Sequence, residues 1–380
     1  MHFDKRHTSK LGYGQNLGKI LKRLSLLFLT CLLAAPFAHA DDSISSGKTF
    51  AARIIHSLYT FVKDFSRVDT SYIEPQHYNF QTMLQNTNTY EVYRLQTHSG
   101  IALTLAPQPT YKLGPYFGWR WIFLGYAFDL THLGNSNNRL EFDLSFYSSK
   151  VGIDLFYRRT GDDYKIRNLD LGDKINTDKI TDTPFDGFSA SIRGFNLYYI
   201  FNHRRFSYPA AFSQSTVQRR SYGSPLLGIG YTKHTLNLDW ERLNRVIKER
   251  LSTEDGLAKV DSDLISAKIK YSDLSLSGGY AYNWVFAHNW VFASSLSLAL
   301  GYKHSYGNIG GKEITADNFS FRNFNMDGVG RFGLVWNNTK WYVGASAILH
   351  AYNYRKQQFS TNTVFGNLNF YVGFNFNKKK

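Results

Sequence analysis

Cysteine is nearly absent from this 380-residue chain: Cys31 is the only one. It lies in an N-terminal stretch that we expect to be removed, so the remaining chain has no thiol for a disulfide, a zinc-thiolate site or redox chemistry. Proline is scarce too, with 8 residues. Beyond the first forty residues, no stretch has the roughly 18 consecutive apolar residues of a membrane-spanning helix. Thiol chemistry and a helical membrane domain are therefore not expected.

The first forty residues have the pattern of a secretory signal. Six lysines and arginines precede an apolar core from Leu24 to Leu33, and Ala38-His39-Ala40 matches a small-x-small cleavage site. A membrane anchor is disfavoured because this apolar run is too short to cross a bilayer. We therefore predict export and a mature chain that begins at Asp41.

Aromatic residues and glycine are abundant, with 30 Phe, 26 Tyr and 30 Gly. The mean hydropathy is −0.34, which suits strands that are apolar on one face only better than it suits apolar helices. The formal charge is +15. No basic helix, zinc-ligand spacing or aromatic RNA motif accompanies this charge, so nucleic acid is not an expected partner. Attraction to anionic lipid head groups, including lipopolysaccharide, accounts for it more simply.

The apolar pattern divides the mature chain in two. Between residues 46 and 68, apolar residues recur at three- and four-residue intervals, which predicts a short amphipathic helix. This helix and its linker fill residues 41–76. Residues 77–380 predict an all-β fold, a transmembrane antiparallel β-barrel of about twelve strands; an apolar stretch at 78–84 is placed outside the wall because barrels of this kind have even strand counts. The expected strands are 89–97, 100–108, 119–131, 139–147, 150–158, 189–202, 225–236, 267–283, 289–304, 321–337, 340–354 and 366–377.

Strand faces and loop lengths both favour a membrane barrel. In the last strand, Leu368, Phe370, Val372, Phe374 and Phe376 alternate with small or polar residues, as lipid-facing side chains do. Long connections at 159–188, 237–266, 305–320 and 355–365 all fall on one side, as outer loops should. The turns at 148–149, 284–288 and 338–339 fall on the other side. One long segment, 203–224, is expected on this periplasmic side.

Inward-facing charges are the candidate functional residues. The alternation turns six acidic and basic side chains toward the lumen, where charges of both signs would bias ion passage or, if paired, fill the interior. In the hairpin 139–158, a two-residue turn sets Asp143 against Asp154, whereas a four-residue turn sets Glu141 against Arg158. Like charges opposite each other are disfavoured, so we predict the wider turn. The lumen-lining candidates are Glu141, Asp143, Asp154, Arg158, Asp327 and Arg331.

Four sequence strings carry a family resemblance. They are Leu84 to Leu95 (LQNTNTYEVYRL), Pro115 to Tyr126 (PYFGWRWIFLGY), Val151 to Arg159 (VGIDLFYRR) and Phe206 to Ser215 (FSYPAAFSQS). The chain resembles a family of Gram-negative envelope proteins catalogued as a domain of unknown function, and the resemblance covers most of the mature chain. It implies an outer-membrane β-barrel and brings no activity, ligand or catalytic residue.

No catalytic, cofactor or metal-binding arrangement is set by spacing. His234 and His350 are expected to face the lumen, but no serine or aspartate stands in a fixed relation to either. Three hypotheses remain open: a narrow porin-like barrel that passes or binds small solutes, a barrel enzyme acting on lipid, and a scaffold that binds a partner. The expected location is the bacterial outer membrane.

Overall fold

The computed structural model describes residues 68–379, apart from 98–99, 120–121, 126, 132–138, 162, 173–174, 252–265, 310–311, 316–322 and 357–358. The chain divides into two compact units, Met1–Arg67 and Val68–Lys380, and the described residues all belong to the second. The predicted signal and amphipathic helix lie outside them.

Nineteen strands and two α-helices are present among the described residues. The helices are α1 (Pro209–Phe212) and α2 (Trp240–Leu251), and a 3-10 turn covers Asp178–Ile180. The strands are β1 (Ile73–Pro75), β2 (Tyr78–Thr97), β3 (Ala102–Pro107), β4 (Thr110–Trp119), β5 (Ile122–Gly125), β6 (Phe128–Asp129), β7 (Leu140–Tyr147), β8 (Val151–Arg159), β9 (Tyr164–Asp170), β10 (Thr183–Pro184), β11 (Phe188–Ile200), β12 (Thr216–Gln218), β13 (Tyr222–Asp239), β14 (Ser266–Ala287), β15 (Trp290–Ile309), β16 (Lys312–Thr315), β17 (Phe324–Asn337), β18 (Trp341–Lys356) and β19 (Phe359–Lys378).

The sheet closes into an antiparallel barrel. β19, the last strand, pairs with β2 from Phe359↔Thr97 to Lys378↔Tyr78. With β5 and β6 counted as one interrupted strand, the wall runs β2, β4, β5–β6, β7, β8, β11, β13, β14, β15, β17, β18, β19, which is twelve strands. The predicted all-β barrel is confirmed. β3, β9, β10 and β16 extend the wall at the end where the long loops lie.

Two predictions near the N-terminal side of the barrel are wrong. Residues 78–84 belong to the wall, because β2 is one continuous strand from Tyr78 to Thr97. β4 was not predicted as a strand, whereas the predicted strand 100–108 corresponds to the short β3 and the predicted strand 119–131 to β5 and β6. The amide-rich run 85–88 looked like a loop, yet its side chains satisfy neighbouring strands: Asn88 Nδ2 donates to the Leu368 carbonyl at 3.1 Å.

The loop pattern is confirmed in three of its four long connections. Residues 160–187, 240–265 and 310–323 join strands at one end of the barrel, and the tight turns 148–150, 288–289 and 338–340 lie at the other. We call these the loop end and the turn end. The fourth, 355–365, is wrong, because β18 and β19 pair as far as Lys356↔Phe359. Helix α2 forms the first part of the connection 240–265.

Apolar side chains project outward from the wall, as predicted. Leu274 is 66 % exposed and Leu296 60 %, whereas their neighbours Asp273 and Ser295 are buried. Trp284 and Trp341 are exposed at the turn end, where an interfacial aromatic belt would stand. Within the described residues, no helix has the length and apolarity needed to cross a membrane.

The hairpin 139–158, formed by β7 and β8, adopts the predicted wide turn. Glu141 pairs with Arg158 and Tyr147 with Gly152, so four residues, 148–151, lie between the last paired positions. Ser148 N donates to the Val151 carbonyl at 2.9 Å. Asp143 is thereby set against Phe156 rather than against Asp154.

Candidate functional site in the lumen

A buried ion pair crosses the middle of the lumen. Arg331 on β17 donates through Nη2 to Asp154 Oδ2 on β8. The side chains are 2 % and 6 % exposed. β8 and β17 are not neighbours in the wall, so this contact joins opposite sides of the barrel. The Arg331 guanidinium also lies 4.9 Å from the ring centre of Tyr198, in a cation-π contact.

A second crossing contact lies beside the first. Arg158 Nη2 donates to Asp143 Oδ2 at 2.7 Å and to Asn367 Oδ1 at 2.9 Å, and Asn367 Nδ2 donates to Asp143 Oδ2 at 3.1 Å. Asn367 belongs to β19, across the barrel from β8. The Arg158 side chain is 2 % exposed, while that of Asp143 keeps 32 % of its surface exposed. The guanidinium is therefore held on two sides of the lumen.

Glu141 has partners that the sequence did not identify. Lys112 Nζ lies 2.5 Å from Glu141 Oε2, and Arg139 Nε lies 2.6 Å from Oε1. Arg139 Nη2 also donates to Glu91 at 3.2 Å. Glu91 lies in the alternating stretch 89–97, so its inward orientation could have been predicted. The inward orientation of Lys112 could not have been predicted, because β4 was not recognised as a strand.

Asp327 belongs to a separate group on the same face of β17 as Arg331. Lys303 Nζ donates to Asp327 Oδ1 at 2.8 Å, and the backbone N–H of Asn353 donates to the same oxygen at 2.8 Å. The Lys303 side chain is 1 % exposed. All six predicted lumen residues therefore lie in ion pairs, distributed over four groups rather than gathered in one.

An aromatic layer fills the barrel toward the loop end. His350 stacks on Phe365 with ring centres 4.9 Å apart, and Tyr271 stacks on both Tyr354 and His234 at 4.4 Å. Phe365, Tyr271 and Tyr354 belong to one buried cluster that includes α2 residues Trp240, Leu243 and Ile247. His234 Nε2 lies 3.1 Å from Thr232 Oγ1. The two lumenal histidines are thus packed among rings.

The turn end is filled by residues 201–221, which we call the lumenal segment. Tyr208, Ala210 and Ala211 are almost completely buried. Tyr208 Oη lies 2.5 Å from Ser295 Oγ on β15, and Gln214 Nε2 donates to Tyr371 Oη on β19 at 2.8 Å. The segment 203–224 was predicted on this side of the barrel, but its packing against the inner wall at β15 and β19 was not.

The lumenal segment ends in a small sheet whose stability we expect to depend on pH. β12 pairs with β1, and Glu74 on β1 contacts His77 at 2.9 Å and also Arg219. Burial acts to raise the pKa of Glu74, but the hydrogen bonds from His77 and Arg219 outweigh it and lower this pKa below the usual 4.5.

Because the pKa of Glu74 is lowered by folding, its stabilising effect is complete above pH 4.5 and is lost as the pH falls below that value. Hydrogen exchange of the β1 amides, corrected for intrinsic rates, should accelerate below this pH. The variant Glu74→Gln should remove the change; an unchanged pH dependence in Glu74→Gln would contradict it.

Several buried nitrogen atoms near the ion pairs have no hydrogen-bond partner within the described part of the chain. They are Nε and Nη1 of Arg158, Nε of Arg331 and Nδ1 of His350. Arg158 and His350 line a recess together with Asp143, Asp154 and Asn367. Its enclosed part has room for about one or two water molecules. Among the described residues, no group of three or more His, Cys, Asp or Glu side chains could hold a metal ion.

Solved structures with a similar path of the chain are outer-membrane proteins of low sequence identity. The outer membrane protease OmpT of Escherichia coli is 7 % identical, with 78 % of this chain and 97 % of that chain covered and a TM-score of 0.35. The translocator domain of the autotransporter NalP of Neisseria meningitidis is 8 % identical, with 86 % and 96 % covered and a TM-score of 0.33. No curated protein matches this chain.

A protein-family model also matches this chain. It covers residues 67–376, which includes all the barrel strands except the last two residues of β19. The resemblance inferred from the four sequence strings is thereby confirmed. The chain belongs to the family described as a domain of unknown function, DUF4421.

Proposed function

We propose that this outer-membrane-type barrel binds and passes small polar solutes, and that its lumen is closed in the state described. The observation that carries the proposal is the set of buried guanidinium and imidazole nitrogens beside the crossing ion pairs. Arg158, Arg331 and His350 each present an N–H group or ring nitrogen without a partner in the described residues. A small solute with hydrogen-bond acceptors, or water in its absence, would satisfy them.

The energetics of burial support a functional lumen. Desolvating two charges often offsets their mutual attraction, and apolar residues of similar volume stabilise a protein as well or better. Charged residues at membrane depth are therefore more often explained by a solute or ion path than by stability. Here the charges continue from Asp154 and Arg331 to Lys303 and Asp327, so a solute would meet both signs along the barrel.

Passage would require the lumenal segment to move. Tyr208 and Gln214 bind it to β15 and β19 at the turn end, and these contacts consist of hydrogen bonds and ring packing with no covalent link. The ion pairs could then exchange partners with a charged solute, whereas the barrel wall, which is closed by β2 and β19, would stay intact.

A disulfide lock tests this movement. A Cβ atom built on Gly333 would lie 3.4 Å from Ala211 Cβ, close to the roughly 3.5–4.5 Å that a disulfide needs, and the mature chain offers no competing cysteine. We expect Ala211→Cys with Gly333→Cys to show no steps in planar bilayers and no liposome swelling when oxidised. Reduction should restore the wild-type conductance. The single-cysteine variants are the controls.

Two outcomes would contradict the proposal. Steps that persist in the crosslinked protein would mean that solutes pass without movement of the lumenal segment. If the wild type and the reduced double variant both stay silent and give no swelling with small sugars, amino acids or salts, the barrel is a closed scaffold instead.

A further inference from the structure

Five neighbouring strands carry a cluster of basic side chains on the outer surface of the barrel. The strands are β8, β11, β13, β14 and β15, which follow one another in the wall. The residues alternate with buried ones and are themselves exposed or half-buried, so they lie on the lipid-facing side, near the loop end. This basic patch consists of Arg159, Arg193, Lys233, Lys270 and His304.

Strand register brings the charges of the patch close together. Arg193 lies directly opposite Lys233, and Lys270 lies opposite Thr235, one outward position further along β13. Arg159 lies opposite Ser191, the outward neighbour of Arg193. Like charges in such positions repel each other, and an anion that contacts several of them would reduce this repulsion. The two outward rows concerned contain only basic, hydroxyl and tyrosine side chains: Tyr157, Arg193, Lys233, Ser272 and His304 in one, and Arg159, Ser191, Thr235 and Lys270 in the other.

The rows next to the patch, toward the turn end, are apolar. The nearest row contains Leu155, Phe195, Tyr231 and Leu274, and the row beyond it contains Ile153, Leu197, Ile229 and Leu276. Leu274, Leu276 and Ile229 are 66 %, 60 % and 49 % exposed, so this surface is available to acyl chains. The surface thus changes from apolar to basic between two adjacent outward rows. This matches an amphiphile whose anionic head group meets the basic residues and whose apolar chains meet the apolar rows.

We propose that the basic patch binds the phosphates of a phosphorylated glycolipid of the lipopolysaccharide type, with the acyl chains lying on the apolar rows below it. Charge and shape both select this occupant. A free phosphate would use the basic residues but not the exposed apolar rows. Multiple phosphates on one lipid would neutralise several charges spread over neighbouring strands, in charge-assisted hydrogen bonds.

The opposite wall provides a matched control. Arg94 on β2 and Arg355 on β18 are also exposed, but β19 lies between them and places Asn362 opposite Arg94 and Ser360 opposite Arg355. These arginines have the same chemistry as those of the patch without its density of charge.

Lipid retention tests the proposal. Barrels in phosphatidylcholine nanodiscs would be given bisphosphorylated lipid A, the same lipid without phosphates, phosphatidylglycerol or inorganic phosphate, and bound lipid counted by native mass spectrometry. We expect selective retention of phosphorylated lipid A, weakened roughly tenfold per charge by Arg193→Glu and Lys233→Glu and unchanged by Arg94→Glu with Arg355→Glu. Arg193→Gln with Lys233→Gln replaces the glutamate pair if that pair fails to fold.

The competing explanations give different results. Equal retention of phosphatidylglycerol would reduce the patch to general attraction for anionic lipid and overturn the proposed specificity. Equal loss in the Arg94 and Arg355 variant would mean that overall charge, and not this patch, decides binding. Displacement of lipid A by millimolar inorganic phosphate would show an ion site that does not use the apolar rows. Each outcome is independent of whether the lumen conducts.

Discussion

Replacing Arg331 by methionine is expected to lower the free energy of unfolding by about 3–5 kcal/mol, because it leaves the Asp154 carboxylate buried without its counter-charge. The Asp154 side chain is 6 % exposed. Its remaining contacts, from Ser145 Oγ at 2.7 Å and Tyr147 Oη at 3.3 Å, cannot supply a positive charge. Urea titration of the folded barrel in micelles, followed by tryptophan fluorescence and by electrophoretic mobility without heating, measures the loss.

A double variant distinguishes the ion pair from simple loss of packing. Asp154→Asn with Arg331→Met removes both charges and should restore at least half of the lost stability, because no uncompensated charge remains. An exposed pair provides the control: Arg167 and Asp182 are 34 % and 61 % exposed, so Arg167→Met should cost about 1 kcal/mol or less. If the double variant is no more stable than Arg331→Met, the charge of Asp154 is not what destabilises the barrel.

The barrel was predictable from sequence because apolar and polar residues alternate along its wall strands with a period of two residues. Outward Leu, Phe and Tyr alternate with inward polar residues over most of β7, β8, β13 to β15 and β17 to β19, and loop length on alternate sides gave the orientation of the strands. The strands that were missed break this alternation. β4 contains Gly114 and Pro115, and the middle of β2 is a run of amides whose hydrogen bonds reach side chains and carbonyls on both neighbouring strands.

The lumen was only partly predictable, because the alternation of side chains along a strand shows which residues face inward but not which of them are in contact across the barrel. It placed Asp154 and Arg331 on inward faces, yet nothing in their spacing shows that two residues 177 positions apart form a pair. Barrel diameter and strand stagger decide that contact. The lumenal segment was missed for a similar reason: the string around Tyr208 is apolar and rich in small residues, as any packed turn would be, and only the closed wall defines the space it fills.

Replacing Tyr208 by alanine is the second change with a large expected effect. Its ring lies among Tyr147, Tyr198, Phe206 and Phe212, with ring centres 5.4–5.7 Å away, and no part of it is exposed. Removing a buried aromatic ring costs about 3–5 kcal/mol. This loss should fall mainly on the lumenal segment, because the wall strands keep their own ladders.

Limited trypsin digestion would show where the loss of stability falls. The lumenal segment contains adjacent arginines at 204–205 and 219–220, and Tyr208→Ala should make cleavage there much faster while the barrel stays resistant. Tyr208→Phe keeps the ring and loses only the contact with Ser295, so about 1 kcal/mol is expected. More frequent bilayer openings in Tyr208→Ala than in Tyr208→Phe would connect this packing to the closed lumen. Equal cleavage and equal stability in the two variants would show that the ring does not hold the segment in place.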